Sequence, residues 1–381
     1  MKTIFFFSMC AIVLAYLLAG WRRKASKKHS AVDAIIPAFN EEPCLESSLT
    51  NLLQNPYIHR VICVNDGSTD DTAGVLARMA DKWDGRLIAV NQANTGKGGA
   101  IMNGLRYVTA DQVFLSDADT YVPHDKDGLG YMLAEIEAGA DAVGGIPSSN
   151  LRGAGLLPCI RATVKLPMII IKRTFQQLLG GAPFLISGAC GMFRTEVLRK
   201  NAFSDRTKVE DLDLTWTLVT RGYKIRQANR CIVYPQECNT LRDEWKRWRR
   251  WIVGYAVCMR LHKRLLFTRY GIGSILPMVM VVFLGLWTYA TSWANALIEN
   301  GPAGLAFVLF PLLWVAVVML VGAFSAAHHR KWALIPLAPL AVFYVLLAYS
   351  VWLVHGLKGL VTGKEPMRDK PTRYRDVVEN A

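Results

Sequence analysis

Several patterns that identify common protein classes are absent from this sequence of 381 residues. Its 8 cysteines form no C-x-x-C pair and no spacing of cysteine and histidine typical of a metal site. The strict phosphate-loop pattern G-x-x-x-x-G-K-[ST] does not occur, and neither does an internal repeat or a low-complexity segment. We therefore expect reduced, mostly buried cysteines, which places the soluble part of the chain in a reducing cytoplasm.

Acidic residues are scarce, with 30 Asp and Glu against 44 Lys and Arg, which gives a formal net charge of +14. The basic residues concentrate beside apolar segments, within residues 22–28, 242–264 and 358–375. This placement is better explained by anionic lipid headgroups and membrane topology than by nucleic acid. We expect membrane lipids as partners and no nucleic acid, because no recognisable nucleic-acid-binding module is present.

Apolar segments lie mainly at the two ends of the chain. Residues 270–293, 303–327 and 333–354 are each close to the length of about 20 residues that crosses a bilayer. Residues 4–19 are shorter, but the basic flank after them favours an uncleaved anchor over a signal peptide. Four spans would put the C-terminus outside, whereas the basic tail indicates the inside, so crossing and re-entry both remain open for the last segment.

The central part alternates between short apolar runs and segments of helical length. Residues 32–36, 60–64, 87–90 and 112–115 are predicted strands, and residues 44–54 and 72–82 are predicted helices. Alternation of this kind predicts an α/β fold with a mainly parallel sheet. In such sheets ligands bind at the carboxyl ends of the strands, which is where polar residues cluster in this sequence.

Polar motifs follow these predicted strands. Asp117 and Asp119 come just after one strand and suit a divalent cation that also binds phosphate oxygens, which indicates Mg²⁺ or Mn²⁺. Asp66 closes an earlier strand and can accept hydrogen bonds from a nucleobase or a ribose. Lys97 lies in a glycine-rich turn that opens a helix, where phosphate charge can be bound. Asp211, beside apolar residues, is a candidate general base.

The order of these motifs resembles that of the family 2 glycosyltransferases. The set comprises residues 36–42 (IPAFNEE), 65–70 (NDGSTD), Gly96-Lys97, Asp117-Ala118-Asp119, Glu210-Asp211 and Arg250-Trp251. More narrowly, it is similar to the membrane-embedded branch that includes cellulose, chitin, hyaluronan and poly-N-acetylglucosamine synthases. The resemblance covers about residues 32–255 and implies a GT-A type domain that binds a nucleotide sugar.

The resemblance also implies a role for each matched residue. The implied donor-binding residues are Pro37, Phe39, Asn40, Glu41, Asp66, Lys97, Asp117 and Arg250. Asp119 would bind the metal, and Asp211 would be the catalytic base with Glu210 beside it. The turn of Gly188, Ala189 and Cys190, together with Trp251, would contact the acceptor.

The implied activity is inverting transfer of a hexose or N-acetylhexosamine from a UDP-sugar to a growing polysaccharide, and coupling of this transfer to secretion is left open. One departure affects processivity: the branch usually shows Q-(Q/R)-x-R-W, whereas this chain has Arg247 and Trp248 in the first two positions. Transfer of one sugar to a polyprenyl phosphate or another lipid therefore stays as an alternative. A non-catalytic subunit of an export complex is a lesser alternative.

We expect five regions in the chain. They are an N-terminal anchor and basic flank (1–29), a cytoplasmic glycosyltransferase domain (30–235), an amphipathic interface helix region (236–266), C-terminal transmembrane segments (267–357) and a basic tail (358–381). This organisation implies a multi-pass protein of a bacterial-type inner membrane. Four spans are few for a pore, so a homo-oligomer or a partner subunit is also left open.

Overall fold

The computed structural model describes residues 24–280, 305–365 and 373–374, together with Trp287, Ala290, Thr291, Ala294 and Ile298. The predicted anchor at residues 4–19 and part of the predicted span at 270–293 lie outside these residues, as does much of the basic tail.

Eight strands and eleven helices are present in the described part of the chain. The strands are β1 (Val32–Ala38), β2 (Ile58–Asp66), β3 (Leu87–Gln92), β4 (Gln112–Leu115), β5 (Thr120–Tyr121), β6 (Ala142–Pro147), β7 (Gly191–Arg194) and β8 (Ile225–Pro235). The helices are α1 (Glu42–Gln54), α2 (Thr72–Lys82), α3 (Gly96–Gly104), α4 (Gly128–Glu137), α5 (Leu156–Gly180), α6 (Thr195–Lys200), α7 (Glu210–Thr220), α8 (Leu241–Leu261), α9 (Gly271–Met280), α10 (Leu305–His329) and α11 (Leu340–Thr362).

The strands form one sheet in the order β3-β2-β1-β4-β7-β6-β8-β5. Strands β1 to β4 pair in parallel, whereas β7 runs antiparallel to both β4 and β6. All four strands predicted from the sequence are confirmed, and so is the α/β class with a mainly parallel sheet. Parallel pairing brings the carboxyl ends of β1, β2 and β4 to one edge of the sheet.

Helices cover both faces of the sheet, because successive strand residues point to opposite sides. Ile36 and Cys63 pack with α1, α2 and α4 on one face. Ile35 and Ile62 pack on the other face with Trp216 of α7 and Cys258 of α8. Helix α8 therefore belongs to the hydrophobic core of the catalytic fold. All seven cysteines in the described part of the chain are free and buried, as expected from the sequence.

Helix α8 differs in part from its predicted orientation. The sequence predicts Trp245 and Trp248 as anchors in a membrane interface. Trp245 is 41% exposed, but Trp248 is 7% exposed and packs with its ring centroid 5.0 Å from that of Tyr344 in α11. The anchor interpretation of Trp248 is therefore wrong: the ring is buried between two helices.

The last predicted span also differs in its bounds. A helix was expected at residues 333–354, but the structure has a 3₁₀ turn at Trp332–Leu337 and α11 at Leu340–Thr362. Pro336 and Pro339 explain this shift, because proline lacks the N–H that a continuous helix needs. Among the described residues α11 is the one helix long and apolar enough to cross a membrane, which by itself is weak evidence for a span.

Helix α11 packs along α8, with contacts near both ends of each helix. Near its start the Tyr344 hydroxyl donates to Glu244 at 2.5 Å, and near its end Gly359 lies against Val253 and Ala256. Just beyond the helix, Glu365 accepts hydrogen bonds from the Thr207 hydroxyl and the Lys208 N–H. Residue 365 therefore lies against the catalytic fold.

Candidate active site

A cavity of about 500 Å³ opens at the carboxyl ends of β1, β2 and β4. Six of the predicted donor-binding residues line it: Pro37, Phe39, Glu41, Asp66, Lys97 and Asp117. Glu210 lines the opposite side, with residues of the segment 204–208. The structure thus brings together residues from motifs that lie more than 170 positions apart in the sequence, from Pro37 to Glu210.

Two turns fix the donor side of this cavity. Asp66 Oδ1 accepts hydrogen bonds from the Thr95 N–H and the Gln92 amide, both at 2.8 Å. Gly67 has φ +72°, and a Cβ there would lie 2.8 Å from the Asn94 nitrogen, so only glycine fits this approach. Asn40 does not line the cavity. Its Oδ1 accepts from the Thr69 N–H at 2.7 Å, and this bond joins the turns that follow β1 and β2.

Charged side chains are paired across the cavity. Lys97 Nζ contacts Asp117 Oδ1, and Arg373 contacts Asp119 at 2.5 Å and Glu41 at 2.9 Å. Burial raises the pKa of Asp119 to about 6, although the Arg373 charge acts in the opposite direction. Arg373 was not predicted to be a site residue, because basic residues that follow an apolar segment are typical of membrane topology.

Asp211 lies in the first turn of α7, and its Oδ2 accepts the Gly188 N–H at 3.2 Å. Lys97 also approaches this turn, since a Cβ at Gly188 would lie 2.6 Å from its Nζ. Burial, followed by the Glu210 charge, raises the pKa of Asp211, while Lys97, the Gly188 hydrogen bond and Arg250 oppose the rise. A half-buried carboxylate with a raised pKa is a stronger base than an ordinary aspartate.

The predicted acceptor residues Gly188, Ala189 and Cys190 do not line this cavity, and neither does Asp211. Gly188 contacts Asp211, but the Cys190 side chain is fully buried, with its Sγ 3.8 Å from Cys231 Sγ. The Ala189 carbonyl accepts the Ser116 hydroxyl at 3.5 Å. Of this turn, Gly188 is the residue with a contact to the candidate base.

Arg250 and Trp251 do not line the cavity described above. Arg250 donates to the Lys208 carbonyl at 3.1 Å and so supports the 204–208 segment that does line it. Trp251 is partly buried, with the guanidinium groups of Arg247 and Arg161 at 5.2 and 5.9 Å from its ring centroid. Arg250 is near enough to affect Asp211, whereas the acceptor role of Trp251 stays a prediction.

A buried cluster of ion pairs lies beside Trp251. Glu237 contacts Arg161 at 2.7 Å, Lys165 at 2.5 Å and Arg247 at 2.9 Å. Glu244 shares Arg161 and Arg247, and all of these side chains are at most 13% exposed. The cluster ties α5, the end of β8 and α8 together. It shows that Arg247, the residue that departs from the usual motif, pairs with buried carboxylates.

These features define an α/β enzyme with a cleft for a ligand that carries phosphate: strand ends rich in carboxylates, a lysine at a helix start and a half-buried basic carboxylate. Within the described residues, no group of three or more His, Cys, Asp or Glu side chains is arranged to hold a metal ion. The protein alone would thus supply a metal with few ligands, those of the Asp117 and Asp119 carboxylates.

Comparison with known proteins gives the family. The family described as "Glycosyl transferase family 2" matches residues 33–201. The protein described as "Uncharacterized glycosyltransferase YaiP" of Escherichia coli (strain K12) is 69% identical over 379 residues, which is 100% of this chain and 95% of that protein. The chain therefore belongs to the family 2 glycosyltransferases, and it is an enzyme.

Two further proteins are similar over different lengths. The poly-β-1,6-N-acetyl-D-glucosamine synthase of Staphylococcus aureus (strain COL) is 30% identical over 226 residues, 58% of this chain and 53% of that protein. The solved mannosyltransferase PcManGT of Pyrobaculum calidifontis, in complex with GDP-Man and Mn²⁺, has a TM-score of 0.58 and 19% identity. It matches 92% of this chain and 97% of its own, and the likeness confirms the GT-A-like fold.

Proposed function

We propose that this enzyme transfers a hexose or an N-acetylhexosamine from a UDP-sugar to a growing glycan at a membrane surface, with inversion at the anomeric carbon. The observation that carries the proposal is the meeting of Asp211 with Lys97 at the Gly188 turn. This meeting places a half-buried base beside the cation that would bind the donor diphosphate. Because Lys97 lines the donor cavity and also approaches the Asp211 turn, an acceptor hydroxyl between the donor and the base can be deprotonated as it attacks.

In this proposal the donor lies along the strand ends. Pro37, Phe39, Glu41, Asp66 and Asp117 surround the nucleoside, and Asn40 holds the turn on which Phe39 and Glu41 lie. Lys97 would neutralise the diphosphate, and Arg250, through its contact with Lys208, would keep positive charge near the leaving group. Preorganised charge of this kind often supplies the largest part of a rate enhancement.

The carboxylates at the end of β4 fit Mg²⁺ or Mn²⁺. Asp119 would be the main ligand, since hard oxygen atoms suit these ions and phosphate oxygens of the donor can complete the coordination. The absence of a larger acidic or histidine cluster among the described residues agrees with a metal that is bound together with its substrate. When bound, the metal would stabilise the negative charge that develops on the departing diphosphate.

The chemical step needs one base. Asp211 takes the proton of the acceptor hydroxyl while the hydroxyl oxygen forms a bond to the anomeric carbon. The bond from that carbon to the diphosphate breaks on the opposite side, and UDP leaves with the electron pair. Glu210 acts through Asp211, because its charge raises the pKa of that carboxyl group.

The similarity to a poly-N-acetylglucosamine synthase supports a glycan as the acceptor. In this reading Gly188, Ala189, Cys190 and Trp251 form the acceptor side, and α8 lies against the membrane. The enzyme would be a multi-pass inner-membrane protein with its catalytic domain in the cytoplasm. A homo-oligomer or a partner subunit would then complete the path of the product.

A second candidate is the transfer of a single sugar to a polyprenyl phosphate or another lipid. It is favoured by Arg247, whose guanidinium pairs with the buried Glu237 and Glu244 and is thus committed to the fold at a position where the polymer synthases carry glutamine. A non-catalytic subunit has no such support, because the chain belongs to an enzyme family.

Products made by the purified full-length protein test both candidates. The protein in detergent is incubated with Mn²⁺ and each of a panel of radiolabelled UDP-sugars, with native membrane lipids as the source of acceptor. A labelled polymer supports the glycan synthase, and a lone lipid-linked sugar supports single transfer. Labelled product from none of the donors would contradict the choice of UDP-sugars.

The pH dependence of transfer should change when Glu210 is replaced by Gln. Asp211 must be ionised to act, so activity is present above its pKa and is lost as the pH falls through it. Removing the Glu210 charge lowers that pKa, and we expect the acid limb of kcat/KM to move to lower pH. Glu46→Gln, on an exposed position of α1, is the control and should leave the limb in place. A limb that stays put or moves to higher pH in the Glu210→Gln enzyme would refute this coupling.

A further inference from the structure

Arg373 enters the proposed donor site from the far end of the chain. Its Nε and Nη2 donate to the two carboxylate oxygens of Glu41 at 2.9 and 3.2 Å. Its Nη1 contacts Asp119 Oδ2 at 2.5 Å. The side chain is 16% exposed and lines the same cavity as Lys97 and Asp117. One guanidinium thus bridges a predicted donor-binding residue and the predicted metal ligand.

Gln236 holds the segment that carries Arg373, and it also contacts the backbone of Asp119. Gln236 Nε2 donates to the Tyr374 carbonyl at 2.8 Å, and the Gln236 N–H donates to the Asp119 carbonyl at 3.1 Å. Arg373 is therefore fixed from two sides, by Glu41 at its guanidinium and by Gln236 at the neighbouring backbone.

Both carboxylate oxygens of Asp119 have a partner in this arrangement. Oδ1 accepts the Thr120 hydroxyl at 3.2 Å, and Thr120 is fully buried away from the cavity. Oδ2 is held by Arg373, which lines the cavity. A cation arriving from the cavity therefore meets the guanidinium first. Two positive groups cannot share that oxygen in a buried site without strong repulsion.

We propose that the Arg373 guanidinium occupies the place on Asp119 that a divalent cation takes, and that the cation displaces it on binding. The inference rests on the proposed function, because it takes Asp119 as the metal ligand. Arg373 is a positioning residue: in the absence of metal it keeps the buried Asp119 carboxylate paired and correctly placed. When the metal displaces the guanidinium from Asp119, the C-terminal segment loses this contact and becomes looser. Metal binding is thereby coupled to the position of the C-terminal segment.

Competition of this kind weakens the apparent metal affinity. The apparent dissociation constant equals the intrinsic one divided by the fraction of protein molecules in which Asp119 is accessible. If that fraction is about one tenth, removing the guanidinium tightens metal binding about tenfold. We expect Arg373→Ala and Arg373→Gln each to bind Mn²⁺ about tenfold more tightly than the wild type. Arg373→Lys should lie between, because one ammonium group cannot span Glu41 and Asp119 as the guanidinium does.

The experiment is calorimetric titration of the full-length protein in detergent with Mn²⁺ alone, in the absence of any nucleotide sugar. Arg78→Ala is the matched control, since Arg78 forms an exposed ion pair with Asp71 on α2, and it should bind as the wild type does. A second measurement follows trypsin cleavage after Arg373 by mass spectrometry. Mn²⁺ should accelerate this cleavage in the wild type but not in Asp119→Asn.

The outcomes test the assignment of Asp119 as the metal ligand and the exchange of Arg373 for the metal separately. If Asp119→Asn abolishes Mn²⁺ binding while both neutral Arg373 variants bind as the wild type or more weakly, the exchange is refuted and the metal assignment stands. If Asp119→Asn binds Mn²⁺ normally, the metal assignment falls and the exchange falls with it. Tighter binding by the neutral variants, with cleavage after Arg373 promoted by Mn²⁺, supports the exchange.

Discussion

Asp211→Asn should lower the transfer rate by a factor of about 10³ or more, while the protein remains folded. General bases typically contribute about 10² to 10⁴ to a rate, and asparagine cannot accept the acceptor proton. The amide keeps the shape of the carboxyl group, so its oxygen can still accept the Gly188 N–H that Asp211 accepts at 3.2 Å. Loss of activity should therefore come without loss of the turn.

Initial rates of sugar transfer, together with calorimetric binding of UDP and Mn²⁺, check this prediction. Binding should stay within about twofold of the wild type, since one charge outside the diphosphate site is removed. Asp111→Asn is the control, because Asp111 is exposed just before β4, at the end of that strand away from the cleft. An Asp211→Asn enzyme that kept a tenth of its activity would rule out Asp211 as the base.

Glu237→Ala should destabilise the protein by about 3–5 kcal/mol, the usual cost of removing one partner of a buried ion pair. Glu237 is 1% exposed and pairs with Arg161, Lys165 and Arg247. Burial by itself raises the pKa of Glu237, but the nearby Arg161 and Lys165 charges bring it below its ordinary value. Without this carboxylate, the three buried cations would repel one another.

Thermal unfolding in detergent, followed by intrinsic tryptophan fluorescence, measures the effect. The midpoint should fall by about 10 °C, given roughly 2–4 °C per kcal/mol for a domain of about 150–250 residues. Glu196→Ala is the matched control, because Glu196 and Lys200 form an i,i+4 pair in which both side chains are more than 60% exposed. A Glu237→Ala midpoint as high as that of the control would contradict the role of the cluster.

The central sheet was predictable from the sequence for a clear physical reason. Strands buried on both faces need continuous apolar runs, and the run before Pro37 and the run before Asn65 have that form. The meeting of Asp66 and Asp117 was predictable as well, since parallel strands place the residues at their carboxyl ends along one edge of the sheet. The position of Asp211 followed from the order of motifs rather than from local pattern, and the structure brings it to Lys97.

Long-range pairing of charges was not predictable. Arg373 and Glu41 are 332 positions apart, and nothing in the local sequence of a basic tail indicates which carboxylate it meets. The prediction of Trp248 as a membrane anchor was wrong for a related reason. Helical periodicity shows that a side chain lies on an apolar stripe, but not whether lipid or another helix covers that stripe. The partner, Tyr344, lies in α11.

The packing of α8 against the catalytic fold has a practical consequence for shortening the chain. Val209, two residues before Asp211, touches Gly254 so closely that a Cβ there would lie 2.6 Å from a Val209 methyl. Trp216 of α7 packs against His262, with 5.7 Å between ring centroids, and Tyr270 donates to the Phe184 carbonyl at 2.7 Å. A fragment that stops at Pro235 would expose this apolar surface and leave the helix of the base without support. The shortest fragment that keeps the helix of the base supported therefore extends at least through Tyr270.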